Sequence, residues 1–221
     1  MARAAIIGGT GLIGASFIDQ WPASDSLLAL GRRGSLPDRP DWRVKYGDMD
    51  DWPRLLDGEA VDVAVATIGT TWAKVGDWEK FEAIDRHAVT AFLAAAKEAG
   101  ATRAIVVSST MADAGSRNQY LAIKGRMEDD ARALGFTRLD IVRPGLLRGN
   151  RGPERRWKER LGILVSPLVN ALLHGRFHKY RAIDGEIVAR AMVALATTGG
   201  EGGEYVHHNR ELQELAQNGT S

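Results

Sequence analysis

The chain has 221 residues, 44% of them hydrophobic, and a formal net charge of +1. That length and apolar content suit one globular domain, residues 1–221, and the near-neutral balance argues against a nucleic-acid partner or an acidic membrane surface. The lack of cysteine excludes disulfides, thiolate zinc sites and cysteine nucleophiles, and leads to the expectation of a reducing, cytoplasmic setting.

The N-terminus runs at once into Ala4-Ala5-Ile6-Ile7, an apolar run of strand type that leaves no room for a signal peptide. Behind it stands Gly8-Gly9-Thr10-Gly11-Leu12-Ile13-Gly14, and Ala15-Ser16-Phe17-Ile18 continues as an amphipathic helix. Strand, glycine turn and helix form the setting in which a G-x-G-x-x-G pattern binds a dinucleotide. Gly9 is expected to permit the tight turn and Gly11 to let the backbone approach a pyrophosphate. Gly14 would let the helix pack close to the strand. The free N–H groups at the start of the helix then face the phosphates.

A second strand is predicted at residues 27–30, and it leads into Gly31-Arg32-Arg33. An NAD-type site places an acidic residue there to hold the ribose 2′-OH. Here two guanidinium groups stand instead, which suits a 2′-phosphate and predicts NADP(H) over NAD. A solvated basic turn would look the same in sequence. Further strands are predicted at residues 43–46, 61–67, 103–108 and 139–142. Trp72 follows the fourth strand in a loop above the sheet, where it would stack on substrate or cofactor. A long alanine-rich helix spans residues 78–98 and another spans 118–134. The alternation of strands and helices, with the central strands continuously apolar, predicts an α/β fold with a doubly wound parallel sheet. Its ligands bind beyond the carboxyl ends of the strands.

Ser108-Ser109-Thr110 closes the fifth strand at that end. A hydroxyl there would bind a substrate carbonyl oxygen as charge develops on it, although strand-end serines also cap helices. Tyr120 and Lys124 lie one helical turn apart, so their side chains share a face. A phenol with a reference pKa of about 10 is a poor proton donor or acceptor at neutral pH, and a nearby ammonium favours its ionised form. The pair therefore reads as a tuned general acid/base.

After Gly149 the rhythm breaks, and residues 149–180 read as a variable insertion on the substrate side. It opens with a basic stretch that includes Arg151, Arg155 and Arg156. The apolar run at 161–173 is too short and too interrupted to span a bilayer. A helix at 187–196, a short strand at 205–206 and a terminal helix at 211–216 complete the chain as small C-terminal elements. The glycines from Gly199 to Gly203 mark a loose tail. No histidine spacing suggests a metal centre.

The glycine fingerprint, Ser108-Ser109 at the fifth strand and Tyr120-Leu121-Ala122-Ile123-Lys124-Gly125 together resemble the short-chain dehydrogenase/reductase superfamily. Ile68-Gly69-Thr70-Thr71 and Val142-Arg143-Pro144-Gly145-Leu146-Leu147 narrow the resemblance to its atypical branch, near the Tat-interacting-protein-like oxidoreductases. The resemblance implies a Rossmann-type NAD(P)-binding fold and a Ser/Tyr/Lys site. Tyr120 would be the acid/base, Lys124 its ribose-binding partner, and Ser109 the substrate-polarising serine, with Ser108 or Thr110 as alternatives. Asp48 resembles the adenine-contacting acid, while Gly69, Thr70, Ser108, Pro144 and Gly145 would line the cofactor path. The resemblance further points to a carbonyl or alcohol substrate and, through the two long helices, to a homodimer, although helices that only cover a sheet share their pattern. Two functions fit: an NADP(H)-dependent oxidoreductase, or a regulatory or scaffold protein that binds NADPH without turnover.

Overall fold

The computed structural model describes residues 1–32, 36, 42–149 and 181–219. Arg33 and, Gly149 apart, the expected insertion lie outside the described residues. Strands β1 (Arg3–Ile7), β2 (Ser26–Gly31), β3 (Arg43–Tyr46), β4 (Val63–Ala66), β5 (Arg103–Val107), β6 (Arg138–Val142) and β9 (Gly203–His207) form one sheet. Its order is β3-β2-β1-β4-β5-β6-β9, and every neighbouring pair is parallel. Two further strands, β7 (Leu147–Arg148) and β8 (Ile183–Asp184), pair with each other at the carboxyl end of the sheet.

Side chains alternate across a strand, and here both sets are buried. Ala4, Ile6, Leu27, Ala29, Val63 and Val65 face Phe17 of α1 (Leu12–Asp19), Val188 and Met192 of α7 (Gly185–Thr197) and Leu212 of α8 (Asn209–Asn218). Ala5, Ile7, Leu28, Leu30, Ala64 and Val106 face the other way. They meet Trp52 of α2 (Trp52–Leu55), Phe92 and Leu93 of α5 (Ala88–Glu98) and Met127 of α6 (Gln119–Ala133). Burial on both faces is why the central strands are apolar at every position rather than every second one.

The long helix predicted at 78–98 is one run in three parts: α4 (Trp78–Glu82), a π-helical turn (Ala83–His87) and α5. A short α3 (Trp72–Val75) precedes it. The tail is not loose as expected: β9 pairs along the whole length of β6. A Cβ at Gly202 would lie 2.9 Å from the Thr137 carbonyl, so glycine lets the entering chain press against its neighbour.

Candidate functional site

The site begins where β1 and β4 end side by side. Gly8 has φ +85°, and a Cβ there would lie 2.4 Å from the Ile68 backbone nitrogen. The strained turn therefore falls on Gly8 rather than on Gly9, because the abutting β4 turn leaves room only for a hydrogen. A Cβ at Gly14 would sit 2.2 Å from the Gly8 carbonyl oxygen, which fixes how closely α1 approaches the turn. Gly11 is the N-cap of α1, and no side chain caps the helix. A Cβ on Gly11 would meet only the Gly8 carbonyl at 3.3 Å and the Thr67 carbonyl at 4.0 Å. Space thus opens in front of Thr10 and Gly11, both exposed, and ahead of the first helical N–H groups. Ile13 is buried in the core, and Leu12 packs towards Gly149 and Gly185. These two residues can offer a ligand only their backbone.

Arg32 follows β2 directly and is exposed, and Asp48 stands exposed beyond the adjacent β3. Asp48 also begins a 3-10 turn (Met49–Asp51), where its N–H donates to Asp51.

The centre of the site is a buried ion pair. The Lys124 ammonium on α6 lies 2.7 Å from an Asp85 carboxylate oxygen in the π-helical turn, and both side chains are almost fully buried. The other Asp85 oxygen accepts the Thr70 N–H at 2.8 Å. Gly69 covers the pair: a Cβ there would be 3.5 Å from Asp85 and 3.9 Å from the ammonium. Thr70 therefore spends its N–H on Asp85. Asp85 carried no motif in the sequence. Its signal is positional: it interrupts the buried stripe of Phe81, Val89, Phe92 and Ala96. The π turn is a known accompaniment of functional sites.

Tyr120 is half-buried one turn before Lys124, with its ring edge-on to Phe81 at 5.7 Å. Its hydroxyl has no hydrogen-bond partner among the described residues. A chain of rings continues from Phe81 to Trp78 at 5.5 Å and on to Trp72 at 6.2 Å. The helices that carry Asp85 and Lys124 are laced together. Arg86 donates to Asp130 and Glu82, and Arg126 donates to Glu82. The bonds from Arg86 hold the Asp130 carboxyl below the usual carboxylate range.

Of the three hydroxyls after β5, two are engaged elsewhere. Ser108, expected near the cofactor path, is buried and donates to Glu128, which also accepts two bonds from Arg143. Glu128 is fully buried, and a carboxylate there needs every donor it can recruit. Thr110 donates to the carbonyls of Arg143 and Pro144 and so ties the β5 turn to the β6 turn. Ser109 is the one not buried, and among the described residues its hydroxyl makes only a long bond to the Thr110 carbonyl at 3.3 Å. Pro144 is buried, and the Gly145 N–H donates to Asn209. No cluster of metal-ligating side chains occurs among the described residues, and no helix among them is long and apolar enough to cross a membrane.

No family model matches the chain. It is 33% identical over 206 residues to "Protein FMP52-2, mitochondrial" of Scheffersomyces stipitis, a match covering 89% of this chain and 87% of that protein. "Protein FMP52, mitochondrial" of Candida albicans is 32% identical over 206 residues, covering 88% and 87%. Among solved structures, MoeE5 in complex with UDP-glucose and NAD superposes with a TM-score of 0.66 at 16% identity, covering 99% of this chain and 82% of that one. The Bordetella bronchiseptica enzyme WbmH in complex with NAD+ gives 0.71 at 18% identity, covering 98% and 80%. These neighbours share the Rossmann-type fold. Both curated relatives are named as mitochondrial, which overturns the cytoplasmic expectation. A lack of cysteine reports on redox chemistry and carries no address within the cell.

Proposed function

Because this chain belongs to the FMP52 family and has the Rossmann-type fold of the short-chain dehydrogenases and reductases, we propose that it is an NADP(H)-dependent oxidoreductase acting on a carbonyl or alcohol. The observation that carries this reading is the Tyr120 hydroxyl, half-buried and without a hydrogen-bond partner among the described residues, one turn from an ammonium that buried Asp85 holds in place. A protein that merely sensed a nucleotide would have no use for that arrangement.

The glycine turn fits a dinucleotide. A Cβ at Gly11 would stand in the space before the uncapped helix, where a pyrophosphate approaches closely. Lys124 would hold a ribose through the donors it does not spend on Asp85, and Arg32 would meet a 2′-phosphate. Both solved neighbours carry NAD, so the preference for NADP(H) rests on Arg32 and on the lack of a carboxylate directly after β2. A bound reduced nicotinamide would supply the hydride for carbonyl reduction, and in alcohol oxidation hydride and proton would both run the other way. Tyr120 gives its proton to the reacting oxygen, and Ser109 donates a hydrogen bond to the same oxygen as charge grows on it.

Tyr120→Phe tests the reading, because it removes one oxygen atom and leaves the ring on Phe81. NADPH binding by calorimetry should persist while carbonyl reduction falls by about 10²–10⁴. Reduction by the variant at the wild-type rate would remove Tyr120 from the chemistry. NADPH binding without turnover of any aldehyde, ketone or quinone by the wild type would favour the regulatory alternative.

A further inference from the structure

Three large apolar side chains stand exposed beyond the carboxyl ends of adjacent strands. Trp72, beyond β4, is 51% exposed; Met111, beyond β5, is 53%; and Leu146, beyond β6, is 62%. These strands are neighbours in the sheet, and their turns are bound to one another. Thr110 joins the Met111 turn to the turn that leads to Leu146. The Asp113 N–H donates to the Leu121 carbonyl and so joins the Met111 turn to the start of α6, beside Tyr120. From the other flank, the rings of Trp78 and Phe81 connect Trp72 to Tyr120. Exposed apolar residues thus stand in turns tied to the start of α6 and at the far end of the ring chain that reaches Tyr120.

Met111 has φ +70°, the one positive value for a non-glycine among the described residues. Such backbone is unfavourable for a residue with a side chain and persists only where its surroundings enforce it, often at ligand clamps. Here it holds a flexible thioether, a group that packs well against aromatic rings, out in the open. Gathered apolar exposure of this kind marks a binding surface more often than chance.

We propose that the substrate is an aromatic aldehyde or ketone whose ring stacks on Trp72 and lies against Met111 and Leu146, with Trp72 determining specificity. This deepens, and rests on, the oxidoreductase reading. The carbonyl carbon takes a hydride from reduced nicotinamide and the oxygen takes the Tyr120 proton. The carbonyl is thereby reduced to an alcohol as the nicotinamide is oxidised. Trp72, Met111 and Leu146 suit an aryl ring, and none of these three side chains carries a charge for the diphosphate of a nucleotide sugar such as the one MoeE5 holds.

The test compares 2-naphthaldehyde with propanal, using wild type, Trp72→Ala and Trp72→Phe. Binding of 2-acetonaphthone, followed by saturation-transfer NMR without cofactor, gives a readout independent of turnover. The wild type should prefer naphthaldehyde by at least tenfold in kcat/KM. Trp72→Ala should lose that preference, with KM rising at least tenfold more for naphthaldehyde than for propanal, and Trp72→Phe should restore most of it. Acetonaphthone should bind the wild type and not the Ala variant. If it does so while no carbonyl is reduced, the aromatic site stands and the oxidoreductase reading fails. If propanal is reduced but the aryl preference survives in Trp72→Ala, the oxidoreductase reading stands and this inference fails. Competition by UDP-glucose for the acetonaphthone site, or a change of oligomeric state in Trp72→Ala with the aryl preference intact, would also overturn it.

Discussion

The Asp85–Lys124 pair allows a sharp test of how the site is held. Asp85→Asn keeps the shape of the side chain and an oxygen for the Thr70 N–H, but it leaves a buried ammonium without its counter-charge. Lys124→Met does the converse and strands a carboxylate. Both groups are nearly inaccessible to solvent, so water cannot compensate. Breaking a buried pair from one side costs about 3–5 kcal/mol. For a chain of this size that corresponds to a fall in melting temperature of roughly 6–20 °C. The double variant buries no charge at this point, and it should be more stable than either single variant. Urea denaturation of all four proteins yields the coupling energy, which must then exceed the cost of either single variant and is expected at about 3 kcal/mol or more. A cycle that sums to zero, or an Asp85→Asn protein within 0.5 kcal/mol of wild type by the usual measure of a neutral surface change, would refute the claim that this pair is desolvated and mutually dependent.

Two further outcomes follow from the charges. NADPH should bind more tightly than NADH, and Arg32→Ala should narrow the gap; a charge-assisted contact of about 1.5–3 kcal/mol corresponds to roughly ten- to a hundredfold, and equal calorimetric affinities in the wild type would reject the preference. Acid stability should depend on Asp140 in the middle of β6. Burial pushes its carboxyl up, but bonds from His207 and Arg138 outweigh burial and hold it below the usual range. Its contribution is therefore complete above the unfolded value of about 3.9 and lost as pH falls through the lower folded value. Asp140→Asn should flatten the stability–pH slope below about pH 4 by up to 1.4 kcal/mol per pH unit, and an unchanged slope in denaturation series at pH 2.5–6 would count against it.

The sheet was legible because its signals are local and periodic. Apolar runs marked the central strands, and the helix predicted at 118–134 is α6, where the Asn118 side chain accepts the Leu121 N–H. The β9 edge was read too short because Gly202 and Gly203 look like a loop until the neighbouring strand is present. The helical spacing of Tyr120 and Lys124 was equally legible. Their partner was not: Asp85 lies 39 positions before Lys124, in a π turn that no residue type announces. Strand parity placed Ser108 on the α6 side of the sheet, but a fully buried Glu128 waiting there is a tertiary fact. A strand-end serine therefore looked available when it was already bonded. Gly8 follows the same logic, since its need for glycine comes from Ile68, sixty residues away on the adjacent strand.

The polar residues around the site divide by burial, and the division assigns their work. Asp85, Glu128, Ser108 and Thr110 are buried and bonded to partners on other elements. Each joins a strand end or turn to α6 or to the next turn, so each fixes geometry and has little freedom to meet a ligand. Rigid supports of this kind are what let a few groups stand within the narrow tolerance that catalysis needs. Tyr120 and Ser109 are partly open, and among the described residues the Tyr120 hydroxyl has no hydrogen-bond partner and the Ser109 hydroxyl only a long bond. The same division separates chemistry from choice of substrate. The supporting network would serve any carbonyl, because none of its members reaches the open side. On the proposal made above, selection falls to the exposed side chains of Trp72, Met111 and Leu146. Exchanging them should change which compound is reduced while leaving the acid and its buried support in place.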